Sequence, residues 1–399
     1  MRHTRAVPAV ATLSVTVLLL TGCGAGGPEA TKASPSAGGA SQPPVVLTLN
    51  ASDGQKHVSV TRGGQVRVTG GSITRVSLTT ADGAPVPGVP SADRRSWAPG
   101  SPLRHGTSYR LTATAADGHG HTVSRRIAFT TLAEGDRYLA THVPENGSTV
   151  GVGMPVSFTF DRPVRDRKAV ESAFRITTGS GQTVVGHWFG DRRLDFRPEQ
   201  YWEADSDVTV RIGLDGVEGA PGAYGEQEQT IHFHVGRRQV STVDASAHTM
   251  RVERDGALLR TIPITAGAPG RTTWNGQMVI SEKLRTTRMN GATVGFAGEY
   301  DIPDVPHAMR LSSSGTFVHG NYWGPDSVFG HENISHGCVG LNDIKGGGDQ
   351  GQDAAWFYGH SLVGDVVVVR NSNDRTIAPD NGLNGWNMSW SQWRAGSAL

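Results

Sequence analysis

The sequence predicts a mainly β chain of two sandwich units followed by a third, β-rich unit. Three observations carry this. Short apolar-alternating runs recur along the first two hundred or so residues. Asp-Gly and Gly-Gly turn signals separate them, within a composition holding 53 glycines. No long segment has the period of an amphipathic helix. Charged residues make up 18% of the chain and the net charge is +1, so the electrostatic footprint of a nucleic-acid binder is missing.

Residues 45–132 hold Val45-Val46-Leu47-Thr48-Leu49, Gln65-Val66-Arg67-Val68, Ser108-Tyr109-Arg110-Leu111 and Arg126-Ile127-Ala128-Phe129, with turns at Asp53-Gly54, Asp82-Gly83 and Asp117-Gly118. Regular short strands with such turns read as an all-β sandwich. Residues 133–236 repeat the theme with Val156-Ser157-Phe158-Thr159-Phe160, Val208-Thr209-Val210-Arg211-Ile212 and Thr230-Ile231-His232-Phe233-His234-Val235. A short helix is expected over 164–174, after Pro163. Trp188 and Trp202 read as packing residues, with sugar stacking the alternative. His232 and His234 share a strand face, but no third metal ligand follows at a useful spacing.

Residues 237–370 form the third unit. A hairpin-like start leads into a stretch over 266–307 with scattered Gly, Asn and Thr. A loop-rich insert of that length reads as an active-site lid. Thr316-Phe317-Val318-His319 reads as a strand ending at the histidine, residues 353–360 as a helix behind the site, and residues 363–369 as a buried strand. The tail, 371–399, carries Trp386, Trp390 and Trp393 without alternation, and is expected to pack back on this unit.

The N-terminus has Arg2 and Arg5 before an apolar run over 6–20, too short for a comfortable membrane span, and reads as an export signal. Leu20-Thr21-Gly22-Cys23 resembles the bacterial lipobox. That likeness implies a lipoprotein signal over 1–22, lipid on Cys23, and an extracytoplasmic protein anchored to the cell membrane and facing the wall. Residues 23–44, rich in Gly, Ala, Ser and Pro, are then a flexible tether. The chain has 2 cysteines; with Cys23 lipidated, Cys338 has no disulfide partner within the chain. A thiol left free in an oxidising exterior points to use.

Cys338 lies in Ser335-His336-Gly337-Cys338-Val339-Gly340-Leu341. A cysteine attacks as thiolate and needs a base beside it. His319 and His336 are both candidates. His336, two residues away on the same segment, is poorly placed to bond the thiol, and a base from a neighbouring strand favours His319. Gly337 allows close backbone approach. The N–H groups of Gly337 and Cys338 are candidate oxyanion donors, with Ser335 and His336 shaping the acceptor side. A zinc reading with His319, His336 and Cys338 lacks a fourth ligand, and no metal or cofactor is expected.

Thr316-Phe317-Val318-His319 followed by Gly330-His331-Glu332-Asn333-Ile334-Ser335-His336-Gly337-Cys338-Val339 resembles the signature of the L,D-transpeptidases with a YkuD-type catalytic domain, in both halves and in their spacing. Ala355-Trp356-Phe357-Tyr358, Gly364-Asp365-Val366-Val367 and the tryptophan-rich tail are similar to the actinobacterial, mycobacterial-type branch. The resemblance implies two tandem Ig-like β-sandwiches, a YkuD-type β-rich catalytic domain and a C-terminal extension packed on it. It implies a peptidoglycan L,D-transpeptidase: Cys338 takes the acyl group of a tetrapeptide stem as a thioester, and a diamino-acid acceptor amine resolves it as a 3→3 cross-link. Water as acceptor would make an L,D-carboxypeptidase, and a decayed site a wall-binding scaffold. His319 would be the base, oriented by the backbone carbonyl of Gly320. Trp323, Met289 (in the lid), Asn321, Tyr322 and Asn342 would line the substrate pocket, and carbapenem β-lactams would acylate Cys338. The chain departs from the family pattern in Gly340, where Asn or Arg is usual. It also carries Ser312-Ser313-Ser314 where a tyrosine is usual, and residues 345–353 read as an insertion.

Overall fold

A computed structural model describes residues 43–399. The segment expected to be an export signal, Cys23 and most of the expected tether, residues 1–42 in all, lie outside the described residues.

Upstream of the third unit stand two sandwiches, each with its own core. In the first, a four-stranded sheet faces a three-stranded one. Strict alternation along Ser108–Ala116 turns Tyr109, Leu111, Ala113 and Ala115 inward. In the second, two four-stranded sheets enclose Phe158, Leu194, Val210 and Phe233. Trp188 and Trp202 are buried there, and their indole N–H groups donate to Glu171 and to the Met154 carbonyl, so neither offers a face to a sugar. His232 and His234 are satisfied within their sheet by Thr209 and Asp207. The expected helix shortens to Arg167–Ser172, because Asp166 caps it at Ala169 N–H and Phe174 already opens a strand.

The third unit is one curled sheet of nine strands. In chain order these are β1 (Gln239–Asp244), β2 (Thr249–Arg254), β3 (Ala257–Thr265), β4 (Gly276–Val279), β5 (Glu282–Asn290), β6 (Asp301–Arg310), β7 (Phe317–Asn321), β8 (Val339–Asn342) and β9 (Val366–Arg370). Their spatial order is β4-β9-β1-β2-β3-β8-β7-β6-β5. The helix Asp353–His360 covers the inner face with Ala354 and Phe357, as its sequence suggests.

The 266–307 stretch is not the loop-rich insert its composition indicates. It supplies β4, β5 and the start of β6. β5 and β6 pair antiparallel from Glu282↔Arg310 to Asn290↔Asp301, with a bulge near Met289. Only residues 291–300 project beyond the ladder. The hairpin reads as loop because β5 is an edge strand with no buried residue, and Lys283, Arg285 and Arg288 interrupt the apolar alternation.

The tail also differs from expectation. It clasps the second sandwich as well as the nine-stranded sheet. Asn384 and Asn387 accept backbone N–H groups of Val279 and Gln277. The capped helix Trp390–Ala395 then lies on the strand Val184–Phe189. Trp393 is fully buried, stacks on His187 at 4.8 Å and donates to the Val185 carbonyl. The Arg197 guanidinium lies 4.5 Å from the Trp386 ring and 4.3 Å from the Trp393 ring. Trp393→Ala is expected to cost about 3–5 kcal/mol in chemical denaturation, the range for emptying a buried aromatic site. An unchanged midpoint would remove the tail from the list of stabilising elements.

Candidate active site

The site follows from the parallel pairing of β7 with β8. Val318 pairs with Val339, His319 with Gly340, Gly320 with Leu341 and Asn321 with Asn342. Val318, Val339 and Leu341 are fully buried on the core face. Side chains alternate along a strand, so His319, Asn321, Gly340 and Cys338 share the opposite face. Residues 19 apart in sequence thereby become diagonal neighbours on adjacent strands. Gly320 faces the core side, where an added Cβ would meet the Asp343 carboxylate at 2.2 Å. That carboxylate is held by His307 Nδ1 at 2.7 Å.

His319 is buried, and its Nδ1 donates to the Gly320 carbonyl at 2.9 Å. That bond assigns the proton to Nδ1 and leaves the Nε2 lone pair free to take one. The Trp323 ring stacks on the imidazole at 5.6 Å. Burial lowers the imidazole pKa from its ordinary value, with the Gly320 contact opposing, so the ring is neutral at pH 7.

The half-buried Cys338 thiol donates to the Gly315 carbonyl at 3.6 Å. Burial pushes its pKa up to about 11, against a smaller downward pull from the Phe317 N–H. The resting pair is therefore a neutral thiol and a neutral imidazole, with the thiol bonded to Gly315 and not to His319. Alkylation of Cys338 by iodoacetamide should accelerate steadily with pH through neutrality and towards about 11. A rate already at its plateau at pH 7 would mean a preformed thiolate.

The loop before Cys338 is set by Ser335. Its hydroxyl donates to the Cys338 carbonyl at 2.6 Å and accepts the Gly337 N–H at 3.1 Å. Gly337 has φ +113, a conformation that favours glycine. Of the two expected oxyanion donors, Gly337 is thus already engaged, and the Cys338 N–H remains. His336 lines the same cavity as Cys338 and His319. It turns to the lid, with its ring 4.9 Å from Tyr300 and 5.4 Å from Phe296, and its Nε2 2.9 Å from Glu299 Oε2.

A cavity of 420 Å³ opens above Cys338 and His319, lined also by Met289, Asn321, Trp323 and Tyr300. Tyr322 and Asn342 do not line it. The Tyr322 hydroxyl donates to Asp304. Asn342 lies four residues beyond Cys338, roughly 13 Å along the strand. Ser313 and Ser314 bind Asn381 of the tail, so the serine run serves packing. The cavity's tyrosine is Tyr300, from the lid; burial and the nearby Cys338 sulfur raise its pKa. The sequence reading missed Tyr300, Glu299, Ile302 and Ile334, which also line the cavity, and Arg271, which pairs with Glu299. Tyr300 and Ile302 sit two apart where the lid runs into β6, a period-2 signal hidden among Glu299, Asp301, Pro303 and Asp304.

A lone thiol and a tautomer-fixed imidazole on one sheet face, under a hairpin lid, make a cysteine–histidine acyl-transfer site. Residues 238–369 match the L,D-transpeptidase catalytic domain model, YkuD, and residues 55–218 match a bacterial Ig domain. The chain is 32% identical to L,D-transpeptidase 2 of Mycobacterium tuberculosis, over 88% of this chain and 85% of that one. It is 30% identical to L,D-transpeptidase 5 of the same organism, over 88% and 77%. A solved L,D-transpeptidase in complex with imipenem is 33% identical, covering 58% of this chain and 98% of that chain, with a TM-score of 0.49. The chain belongs to the L,D-transpeptidase family, with Ig-type modules ahead of a YkuD catalytic domain.

Proposed function

We propose that this chain is a peptidoglycan L,D-transpeptidase with Cys338 as nucleophile and His319 as base. The observation that carries the reading is the β7–β8 pairing, which sets the thiol and the free Nε2 of His319 on one face beneath the lid.

In the proposed cycle the donor is a tetrapeptide stem. Its entry draws the thiol from the Gly315 carbonyl, and the Cys338 proton passes to His319 Nε2. Sulfur attacks the carbonyl of the third residue, and the Cys338 N–H is the donor nearest the developing oxyanion. His319 returns the proton to the departing amine of the terminal D-alanine, leaving a thioester. The side-chain amine of a second stem's diamino acid attacks that thioester and gives up a proton to His319. The C–S bond breaks, and the proton returns to the sulfur as the 3→3 cross-link is released. Neutral reactants at rest suit this sequence, because the base is unprotonated when the donor arrives.

A carbapenem, with its strained acyl group, would enter by the same first step and remain on Cys338. The relative solved with imipenem supports that extension. Lipid on Cys23, followed by the tether and two sandwiches, would hold the site away from the membrane and within the wall. The basic start, apolar run and Leu20-Thr21-Gly22-Cys23 support this placement.

The test is incubation of the purified protein with tetrapeptide stems and analysis of products by mass spectrometry. Cross-linked dimer and free D-alanine are expected. Tripeptide without dimer would assign the L,D-carboxypeptidase activity instead.

A further inference from the structure

At the mouth of the cavity three ionisable side chains converge without a role in the cycle above. Arg271 lies on a turn closed by its own N–H to the Ala268 carbonyl at 2.9 Å. That turn is laced to the loop before Cys338: Ser335 N–H donates to Ala266 at 3.0 Å, and Ala268 N–H donates to Ser335 at 2.9 Å. The backbone of Arg271 is therefore tied to the nucleophile loop. Glu299 belongs to the lid segment that projects past the last β5–β6 pair, Asn290↔Asp301. Arg271 Nη2 lies 2.5 Å from Glu299 Oε2, and His336 Nε2 lies 2.9 Å from that same oxygen. Arg271 Nη1 is also 2.7 Å from His336 Nε2. Arg271 thus donates to a Glu299 carboxylate oxygen, His336 Nε2 lies within hydrogen-bond distance of both, and the lid supplies that carboxylate.

We propose that Arg271 is the receptor for the free terminal carboxylate of the acyl donor, and that Glu299 stands in for that carboxylate until the donor displaces it. The inference rests on the transpeptidase reading. A tetrapeptide donor carries its carboxylate one residue beyond the carbonyl that Cys338 attacks. His336, which touches the Arg271 guanidinium, is two residues from Cys338. A guanidinium presents parallel N–H donors that fit a carboxylate fork, and a peptide carboxylate can replace a side-chain one in kind. The Arg271 and Glu299 side chains are 40% and 35% exposed, so the exchange takes place between solvated partners at small cost. The displaced Glu299 releases the lid from the nucleophile loop, so donor entry and lid movement become one event. A donor longer by one residue would carry its carboxylate about 3.5 Å too far. Arg271 therefore selects for a one-residue leaving group.

The experiment compares a tetrapeptide donor with the same peptide ended by a carboxamide, using the full chain. Release of the terminal residue gives KM and kcat, and calorimetry on Cys338→Ala gives binding without turnover. The carboxamide donor is expected to bind about tenfold to a hundredfold more weakly, the range for a hydrogen bond to a charged group. Arg271→Gln should lose that factor, in KM, on the carboxylate donor alone, and Arg271→Lys should recover part of it. Glu299→Gln should lower KM for the carboxylate donor by a larger factor than for the carboxamide. Equal losses on both donors, or equal binding of both to Cys338→Ala, would overturn the proposal. Should Arg271→Gln fail to fold, the donor selectivity of Glu299→Gln decides in its place. Selective binding with no turnover by the wild type would instead refute the transpeptidase reading and leave the receptor standing.

Discussion

Cys338→Ala is expected to give a folded protein that takes up no carbapenem and releases no D-alanine from a tetrapeptide. The thiol's one side-chain hydrogen bond is a long contact with the Gly315 carbonyl, and the residue is half-buried. Its removal should change stability by no more than about 1 kcal/mol. The chemical cost is far larger. In the proposed cycle the acyl group has no other carrier, and removing a covalent nucleophile lowers turnover by factors on the order of 10⁶. Intact-protein mass spectrometry after carbapenem exposure reads the first loss, and product analysis reads the second. Substantial cross-linking by the variant would refute the mechanism, and an adduct on another residue would relocate the nucleophile.

His319→Gln should lower kcat/KM for the donor by about 10²–10⁴, the span for losing a positioned general base. The expected pH profile sharpens the test. Burial lowers the His319 pKa, so the imidazole stays neutral to a more acidic pH than an exposed histidine would. The acid limb of the wild-type kcat/KM profile should therefore fall below the ordinary histidine value of about 6.5. In the variant that limb should disappear. A limb that persists in His319→Gln would assign the proton to another group, with His336 the first to examine. The variant must also keep Trp323 in place, since that ring stacks on the imidazole. Unchanged Trp fluorescence guards against reading a packing defect as lost catalysis.

Much of the site is legible in the sequence because strand alternation is local. Val318 and Val339 mark the core face, and their neighbours His319 and Cys338 must then lie on the other. The paired motifs supply the rest through their resemblance to a family. The helix Asp353–His360 and the buried Trp188 and Trp202 are similarly local matters of pattern and size. The lid is less legible. Its outer strand, β5, lies at the sheet edge with no fully buried residue, so the apolar signal is weak even though it pairs with β6 along most of its length.

His336 marks the division most clearly. Its two-residue distance from Cys338 makes it a plausible support for the oxyanion on sequence grounds. In the folded chain it lines the cavity and meets Glu299, Tyr300 and Arg271, residues 36 or more positions away. Ser335 and Gly337 divide in the same manner: the hydroxyl that could have faced substrate closes the loop on itself. Residue type and short-range periodicity thus settle the β class and put His319 and Cys338 opposite the core face, since both follow from steric alternation within a few residues; their proposed roles come from the paired motifs. The partners of the remaining polar groups, the tail's grip on the second sandwich and the tyrosine at the cavity are set by long-range packing. There a hydrogen bond forms with whichever donor or acceptor the fold brings within about 3 Å, and that neighbour is not encoded nearby in the chain.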